Sequence, residues 1–416
     1  MKLPELLSPA GDMEKLRAAI RFGADAVYGA GQSFGMRAAS ANFSREELAE
    51  AVTLCHAAGK KFYVTVNVLP RDAEYPALRD YITYLAKIGA DAVIVSDIGV
   101  VMLVREVAPD LPIHLSTQAS AVSAAACRAW HALGVSRVVL ARELTLEEIK
   151  EIRRNIPETL ELEAFIHGAM CIAYSGRCLL SNYLVGRDAN HGRCAQSCRW
   201  VYRGTGGELS GEIAEEKRPD QPFPVVEDGG DTFVLSSRDT CMIEHIPELV
   251  TSGIASLKIE GRVKSAYYTA VTANAYRMAL DAYAADPEGY TYDPAWMREL
   301  SSVSHRAYAT GFYFTSPHED ANTVSELGYI REKAYLATAV SDRDADGYVT
   351  FVQRNKVSAG EPVELLRPSR VGEPFTAEEL FSEDGEPIAS APHPGMRFRL
   401  RVPFEAHAGD ILRQGG

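Results

Sequence analysis

The first part of the chain repeats one pattern, in which a helix-like segment is followed by a glycine and then by a short apolar, β-branched run. The repeats read GADAVYGA from Gly23, GKKFYVTVN from Gly59, GADAVIVSD from Gly89, GVSRVVLAR from Gly134 and GIASLKIEGR from Gly253. A glycine just after a helix adopts the left-handed conformation at little cost and turns the chain into the next strand. Further apolar runs at Glu5 to Ser8, Ile113 to Ser116 and Leu160 to Ile166 bring the predicted strands to eight.

Regular alternation of helices and strands predicts a parallel sheet, and eight strands is the number that closes a barrel. The alternative is a doubly wound open sheet, which usually carries a glycine-rich phosphate turn after its first strand. Here that turn is SPAGD, without GxGxxG. The sequence therefore favours the α/β class and an eight-stranded parallel βα barrel of the TIM type.

The repeat is interrupted by a cysteine-rich insertion at about 168–237, before the last strand. An insertion at this point lies at the C-terminal mouth of a barrel, where such enzymes keep their chemistry. Beyond about residue 328 the chain changes to short alternating runs such as YVTFVQ and MRFRLRVPF, separated by turn residues. We expect a barrel domain at 1–328, which includes the insertion, and a small all-β, β-barrel-like domain at 329–416.

Composition limits the cellular setting and the partners. The 416 residues include no apolar run of membrane-spanning length, and the first residues do not resemble an export signal, so we expect no membrane partner. Seven cysteines, four of them in one stretch, fit a reduced compartment and a metal site better than a disulfide framework, which predicts a cytoplasmic protein. The net charge of -13 opposes nonspecific attraction to nucleic acid, so any contact with RNA must use a local basic patch.

The insertion contains four cysteines in two pairs, Cys171 with Cys178 and Cys194 with Cys198. Four thiolates from one loop suit tetrahedral zinc or an iron-sulfur cluster, and the spacing alone leaves both open. Cys241 lies near the end of the insertion and could replace one of the four. Cys55 and Cys127 fall in helical stretches, where we interpret them as small apolar side chains of the core.

Polar residues follow several predicted strands, where they would face the mouth of the barrel: Asn67, Ser96, Asp97, Gln118, Arg142, Glu163, His167, Lys258, Glu260 and Arg262. The catalytic candidates among them are Glu163, His167, Lys258, Glu260 and Arg262. Some of these groups could instead be salt-bridged structural residues. The chain has no HExxH motif of the kind typical of metalloproteases.

Basic and aromatic residues surround the cysteines. Arg193, Arg199 and Trp200 are the candidate RNA-binding residues, because arginines neutralise phosphates and aromatic faces stack on unpaired bases. The alternative is that these arginines only offset the negative charge of the thiolates.

The chain resembles the U-32 peptidase family over essentially its whole length. The resemblance rests on ELLSPAGD, GADAVYGAG, HLSTQAS, FIHGAMCIAYSGRCLLS, GRDANHGRCAQSCRW, SSRDTCMIEHIPEL and SLKIEGRVKSAYY. Within the family, the run VSHRAYATGFYF and the β-rich tail are similar to those of tRNA hydroxylation proteins.

That resemblance implies an enzyme, or an essential component of one, for oxygen-independent, prephenate-dependent hydroxylation of the tRNA wobble uridine to 5-hydroxyuridine. It favours a 4Fe-4S cluster over zinc, with Cys171, Cys178, Cys194 and Cys198 as ligands. The expected partners are the tRNA anticodon loop, the small-molecule co-substrate prephenate and a related subunit. The alternatives are a collagenase-like peptidase of the same family, acting on unstructured polypeptide, and a noncatalytic RNA-binding scaffold.

Overall fold

The computed structural model describes residues 3–35, 41–189, 193–199, 211–215, 218–228, 231–233, 237–316, 330 and 333–415. The chain forms two compact units. The first comprises Met1–Met13, Asp25–Val263 and His305–Tyr329, and the second comprises Glu14–Ala24, Lys264–Ser304 and Ile330–Gly416. The second unit therefore combines the C-terminal β region with segments from earlier in the chain.

Seven parallel strands open the first unit. They are β1 Glu5–Pro9, β2 Ala26–Gly29, β3 Lys61–Val66, β4 Ala92–Val95, β5 Ile113–Leu115, β6 Arg137–Val139 and β7 Glu161–Ala169. Six helices connect them in the order α1 Met13–Arg21, α2 Arg45–Ala57, α3 Tyr75–Lys87, α4 Ile98–Val107, α5 Ala124–Ala132 and α6 Leu146–Arg154. Gly59 and Gly89, at φ +67° and +80°, take the left-handed conformation between a helix and the next strand, as the repeat predicts.

The insertion after β7 contains helix α7, Leu180–Val185, and an antiparallel sheet of three strands. These strands are β8 Gly211–Glu215, β9 Arg218–Asp228 and β10 Asp231–Phe233. The chain then forms strand β11, Asp239–Cys241, and helix α8, Ile246–Thr251. The last barrel strand follows as β12, Ser256–Ile259.

Strand β12 closes the barrel because it pairs in parallel with both β1 and β7. Glu5 lies opposite Ser256 on one side, and Glu163 lies opposite Ser256 on the other. The predicted eight-stranded parallel barrel is therefore confirmed. Apolar residues of the consecutive strands β1 to β4 form a buried cluster that includes Leu7, Tyr63 and Ile94.

Charged residues also fill the barrel interior. Arg137 on β6 forms ion pairs with Glu5 on β1 at 2.7 Å and with Glu163 on β7 at 3.2 Å. Strands β6 and β1 are not neighbours in the sheet, so the first of these contacts crosses the inside of the barrel. This network of ion pairs lies beneath the mouth of the barrel. It fixes the position of the charged residues at the bottom of the mouth.

In the described residues, the second unit contains helix α1 apart from its first residue, two further helices and an antiparallel β region. The further helices are α9 Ala266–Ala285 and α10 Pro294–Ser301; the short strand β13, Tyr308–Ala309, follows them in the chain and belongs to the first unit. The β region has strands β14 Tyr335–Ala339, β15 Tyr348–Gln353, β16 Val357–Ser358, β17 Pro362–Leu366, β18 Glu373–Thr376, β19 Leu380–Ser382, β20 Ser390–Ala391, β21 Arg397–Arg401 and β22 Ile411–Gln414.

Seven of these strands form one antiparallel sheet in the order β18-β17-β22-β14-β15-β21-β19, and β16 pairs with β20. Burial alternates along β15, as expected for a strand with one face on a core. Phe351, Phe398 and Leu412 lie in that core. The predicted C-terminal all-β region is confirmed.

Within this unit, Arg413 is almost fully buried and pairs with Glu299 at 2.6 Å and with Glu364 at 2.7 Å. Among the helices that the structure describes, none is long and apolar enough to cross a membrane.

Candidate active site at the mouth of the barrel

Strand β7 is the longest barrel strand, and it extends beyond the rim. Its pairing with β12 ends with Ile259 opposite His167, after a shift of register. From there β7 pairs in antiparallel fashion with β11, where Asp239 lies opposite Ala169. The insertion therefore starts directly above the open end of the barrel, which places its first cysteine over the barrel interior.

A pocket lies between the strand ends and the insertion. Its barrel side includes polar and charged residues at or after the ends of the strands, namely Thr65, Asn67, Ser116, Thr117, Gln118, Arg142, Lys258, Glu260 and Arg262. Its insertion side is formed by Cys171, Tyr174, Ser175, Gly176, Cys178, Ala189 and Cys194. Three predicted catalytic residues and three predicted ligands thus line one cavity.

The cysteine loop is attached to the barrel through the loop after β5. The Ser120 hydroxyl donates a hydrogen bond to the Ser175 carbonyl oxygen at 3.2 Å. Gly176 has φ +79°, and a Cβ on it would lie 2.6 Å from the carbonyl oxygen of Gln118. Glycine is required here by both the backbone conformation and the close approach.

The second cysteine pair is attached to helix α7. The Ala195 N–H donates to the Ser181 hydroxyl at 3.0 Å, and the Gln196 N–H donates to the Cys194 sulfur at 3.4 Å. Backbone N–H groups aimed at sulfur are typical of iron-sulfur sites, where they stabilise the thiolate charge. Cys198 follows in a short 3-10 turn, Ser197–Arg199, and is not among the pocket-lining residues.

All seven cysteines are free thiols. Cys241 is buried on β11 and does not line the pocket. Cys55 and Cys127 are buried in helices, where burial raises the pKa of Cys55 to about 12 and that of Cys127 to about 11. Within the part of the chain that the structure describes, no group of three His, Cys, Asp or Glu side chains is arranged to hold a metal ion.

Lys258 forms the floor of the pocket. Its Nζ lies 2.7 Å from the Glu163 carboxylate and 4.4 Å from the centre of the Tyr28 ring. Glu163 is completely buried and also pairs with Arg137. Burial by itself would raise the pKa of Glu163, but Lys258 and Arg137 outweigh it and hold that pKa below its ordinary value. Glu163 is therefore a carboxylate that neutralises Lys258 from below.

Glu260 and Arg262 lie at the rim of the same pocket. The Tyr28 hydroxyl donates to Glu260 Oε2 at 3.4 Å, and an Arg262 guanidinium nitrogen donates to the Thr65 hydroxyl at 3.5 Å. These contacts place a carboxylate and a guanidinium beside Lys258, a set that can bind an anion and exchange a proton.

His167, like Glu163, is a predicted catalytic candidate that does not line this pocket. Its ring is buried and packs 5.3 Å from the Tyr308 ring. Its carbonyl oxygen accepts the Glu260 N–H at 2.9 Å, so its link to the site is through the backbone.

Arg142 was not selected as a catalytic candidate, although it lines the pocket. Its guanidinium stacks over the Phe165 ring at 4.0 Å and donates to the Ala169 carbonyl oxygen at 2.8 Å. Its sequence signal is its position shortly after the end of β6. Tyr28 and Phe165 carried no such signal, because each lies within an apolar strand.

The proposed RNA-binding residues are only partly described. Arg193 is exposed on the insertion. Arg199 ends the 3-10 turn, but its side chain lies outside the described part, and Trp200 lies outside the described residues. Nearby on the insertion, Tyr183 is 86% exposed and Tyr174 is 45% exposed, so two aromatic faces are open to solvent.

Known proteins resemble the chain over both of its parts. Residues 11–323 match the model of peptidase family U32, and residues 331–413 match that of the family's C-terminal domain. The chain is 37% identical to tRNA hydroxylation protein P1 of Bacillus subtilis, over 100% of this chain and 95% of that protein. It is 38% identical to tRNA hydroxylation protein P of Escherichia coli, over 96% of this chain and 94% of that protein.

A third relative carries a different kind of name. The chain is 40% identical to an uncharacterized protease of Methanocaldococcus jannaschii, over 90% of this chain and 86% of that protein. With both parts of the chain matched and the relatives covered almost from end to end, the protein belongs to peptidase family U32.

Proposed function

We propose that this protein is an iron-sulfur enzyme, or an essential component of one, that hydroxylates the wobble uridine of tRNA to 5-hydroxyuridine without molecular oxygen. Prephenate is the proposed co-substrate, and a related subunit is a proposed partner. The nearly full-length similarity to proteins named for tRNA hydroxylation supports this reaction class.

The observation that carries the proposal is the composition of the pocket at the barrel mouth. Cys171, Cys178 and Cys194 line one wall, and Lys258 and Arg262 lie on the barrel side. Free thiols, with a backbone N–H directed at Cys194, fit the donor set of an iron-sulfur cluster. Cys198, in the turn that follows, would be the fourth ligand.

With four thiolates bound, such a cluster would supply electron transfer or would shape the loop, because no iron position stays open. The chain's own residues provide the rest of the site. Lys258 and Arg262 would bind the carboxylates of the co-substrate, and Glu260 could hold or release a proton beside them. Tyr28 and Phe165, which also line the pocket, exclude water from its floor.

The insertion would also receive the anticodon loop. Its exposed Tyr174 and Tyr183 offer stacking faces, and Arg193 offers a charge for phosphate. An anticodon loop presents unpaired bases, so no duplex has to be opened.

The test of this function combines a metal measurement with a product measurement. Protein purified without oxygen should be brown, absorb near 400 nm as thiolate-to-iron charge transfer does, and contain iron with sulfide. Nucleoside mass spectrometry should find 5-hydroxyuridine in tRNA from cells with the gene and much less in cells without it. A colourless protein with stoichiometric zinc would end the cluster proposal, and unchanged 5-hydroxyuridine would end the hydroxylase proposal.

Peptide hydrolysis is the second candidate, favoured by the family's name and by that of the Methanocaldococcus jannaschii relative. A true peptidase would cleave denatured collagen at a rate that survives extensive purification. We expect no such cleavage. If it persists in pure protein and is lost in Glu260→Ala, the peptidase function replaces the hydroxylase.

A further inference from the structure

The two ends of the cysteine insertion meet in one buried contact, which we term the neck. The neck consists of Met170, Ser237, Asp239 and Arg306. The Ser237 hydroxyl donates a hydrogen bond of 2.6 Å to the carbonyl oxygen of Met170. Met170 directly precedes Cys171, so this bond joins the start of the insertion to its end.

Arg306 holds the neck closed. Its Nε and one terminal nitrogen donate to Asp239 Oδ1 at 3.0 and 2.6 Å, and its backbone N–H donates to Oδ2 at 3.2 Å. Its other terminal nitrogen lies 3.4 Å from the Ser237 hydroxyl. The exposed fractions of Arg306 and Asp239 are both 2%, and that of Ser237 is 3%.

The strand pairing adds to this closure. Asp239 lies opposite Ala169 in the antiparallel extension of β7, and its N–H donates to the Ala307 carbonyl oxygen at 3.0 Å. The SHRAY segment, which contains Arg306, has no role in the proposed reaction. It forms the third side of the neck.

A buried ion pair of this kind tolerates little displacement, because separating the charges leaves one of them buried and unpaired. Adjacent Cα atoms are about 3.8 Å apart in a trans peptide, so the chain between Met170 and Cys171 has no slack. Any opening of the neck must therefore move Cys171, which lines the pocket.

We propose that Arg306 and Asp239 are positioning residues for Cys171, and that their ion pair across the neck sets the place of this thiol in the pocket wall. The link to catalysis rests on the proposed function, in which Cys171 binds the cluster. The placement of the Cys171 thiol by the ion pair does not depend on the proposed function.

The experiment measures the reactivity of the Cys171 thiol in metal-free protein and the loss of iron from protein purified without oxygen. In metal-free protein, iodoacetamide labelling followed by peptide mass spectrometry gives the alkylation rate of each cysteine. Asp239→Asn, which keeps the shape but removes the charge, should raise the rate at Cys171 by roughly tenfold relative to Cys178. In protein purified without oxygen, the same variant should lose iron to a chelator faster than the wild type, with Arg306→Lys intermediate.

Glu299→Gln is the matched control, because it removes a carboxylate from the equally buried pair with Arg413 in the second unit. It should lower thermal stability without changing Cys171 alkylation. If Asp239→Asn does not fold, Ser237→Ala removes the bond to Met170 and leaves the ion pair in place.

Equal Cys171 alkylation in the wild type, Asp239→Asn and Ser237→Ala would overturn the proposal and leave the pair a purely structural role. If the wild type holds no iron, the cluster proposal fails, whereas the alkylation rates still decide whether the neck positions the thiol.

Discussion

Buried charge is the main feature of the site at the scale of single residues. Glu163 is fully buried between Lys258 and Arg137, and only Lys258 reaches the pocket. The buried ammonium group of Lys258 would be costly without this carboxylate, whereas Arg137 also pairs with Glu5 and Glu161. We therefore expect Glu163 to act through Lys258, by holding its ammonium group in place through their ion pair.

Glu163→Gln should lower the free energy of unfolding by roughly 3–5 kcal/mol, the usual cost of removing one partner from a buried ion pair. Glu161→Gln is the control, because Glu161 pairs with the same Arg137 at 2.7 Å but is 41% exposed. That change should cost no more than about 1 kcal/mol. Urea unfolding at neutral pH compares the two variants, and equal losses would contradict the buried network.

His114 gives the protein an acid-sensitive position. Its ring is buried 4.7 Å from the Tyr63 ring. Burial first, and then the charges of Arg137, Lys258 and Lys61, hold the pKa of His114 well below its ordinary value. In mildly acidic solution the unfolded chain thus binds a proton at His114 that the folded protein does not.

Stability should consequently fall as the pH drops below about 6.5, where the unfolded histidine becomes protonated. His114→Gln should remove up to about 1.4 kcal/mol per pH unit of this loss between about pH 6.5 and 5. Denaturant unfolding over a pH series measures how the free energy of unfolding depends on pH. The control is His393→Gln, because His393 is exposed. If the dependence of stability on pH is unchanged in His114→Gln, the folded protein binds a proton at His114 as readily as the unfolded chain does, which contradicts the prediction.

At the scale of elements, the repeat of glycine and apolar run was enough to predict the barrel strands, because each βα unit repeats the same local requirement. The extension of β7 and its partner β11 could not be predicted. The three residues of β11 have no periodicity to detect, and their pairing depends on a contact between distant segments. The cysteines could be found as a group, whereas Tyr28 and Phe165 could be assigned to the site only from the closed barrel.

Gly176 shows how the loop carrying Cys171 and Cys178 depends on one such contact. Gly176→Ala should displace this loop from Gln118 and lower the iron content of protein purified without oxygen. Gly186→Ala is the control, because Gly186 also has a positive φ, of +64°, but a Cβ there would meet nothing within 4 Å. It should cost about 1 kcal/mol of stability and keep the iron. Equal iron in both variants would show that the contact with Gln118 does not matter.

At the scale of the whole molecule, RNA must bind a chain with a net charge of -13. A local site is therefore required. The insertion offers the exposed Arg193 and two exposed aromatic rings, with Arg199 and Trp200 close to Arg193 in sequence. The arginines of the C-terminal sheet are less available, since Arg397 pairs with Glu383 and Arg401 with Glu379.

Arg193→Ala should weaken binding of an anticodon stem-loop and reduce the slope of log affinity against log salt by about 0.7, the value for one phosphate contact in a single strand. Arg199→Ala should behave in the same way, whereas Trp200→Ala should weaken binding by about 1–3 kcal/mol with little change of slope. Arg397→Ala should change neither quantity. The reverse pattern, with loss only in Arg397→Ala, would move the RNA site to the C-terminal sheet.

The most direct test of the account asks whether the cysteine pocket is the hydroxylation centre. Cells that lack the gene are complemented with the wild type, Cys178→Ala or Cys127→Ala, and tRNA 5-hydroxyuridine is measured by nucleoside mass spectrometry at equal protein levels. We predict that the wild type and Cys127→Ala restore the modified base, because Cys127 is a buried helical residue outside the pocket, and that Cys178→Ala does not. Full restoration by Cys178→Ala would contradict the central claim.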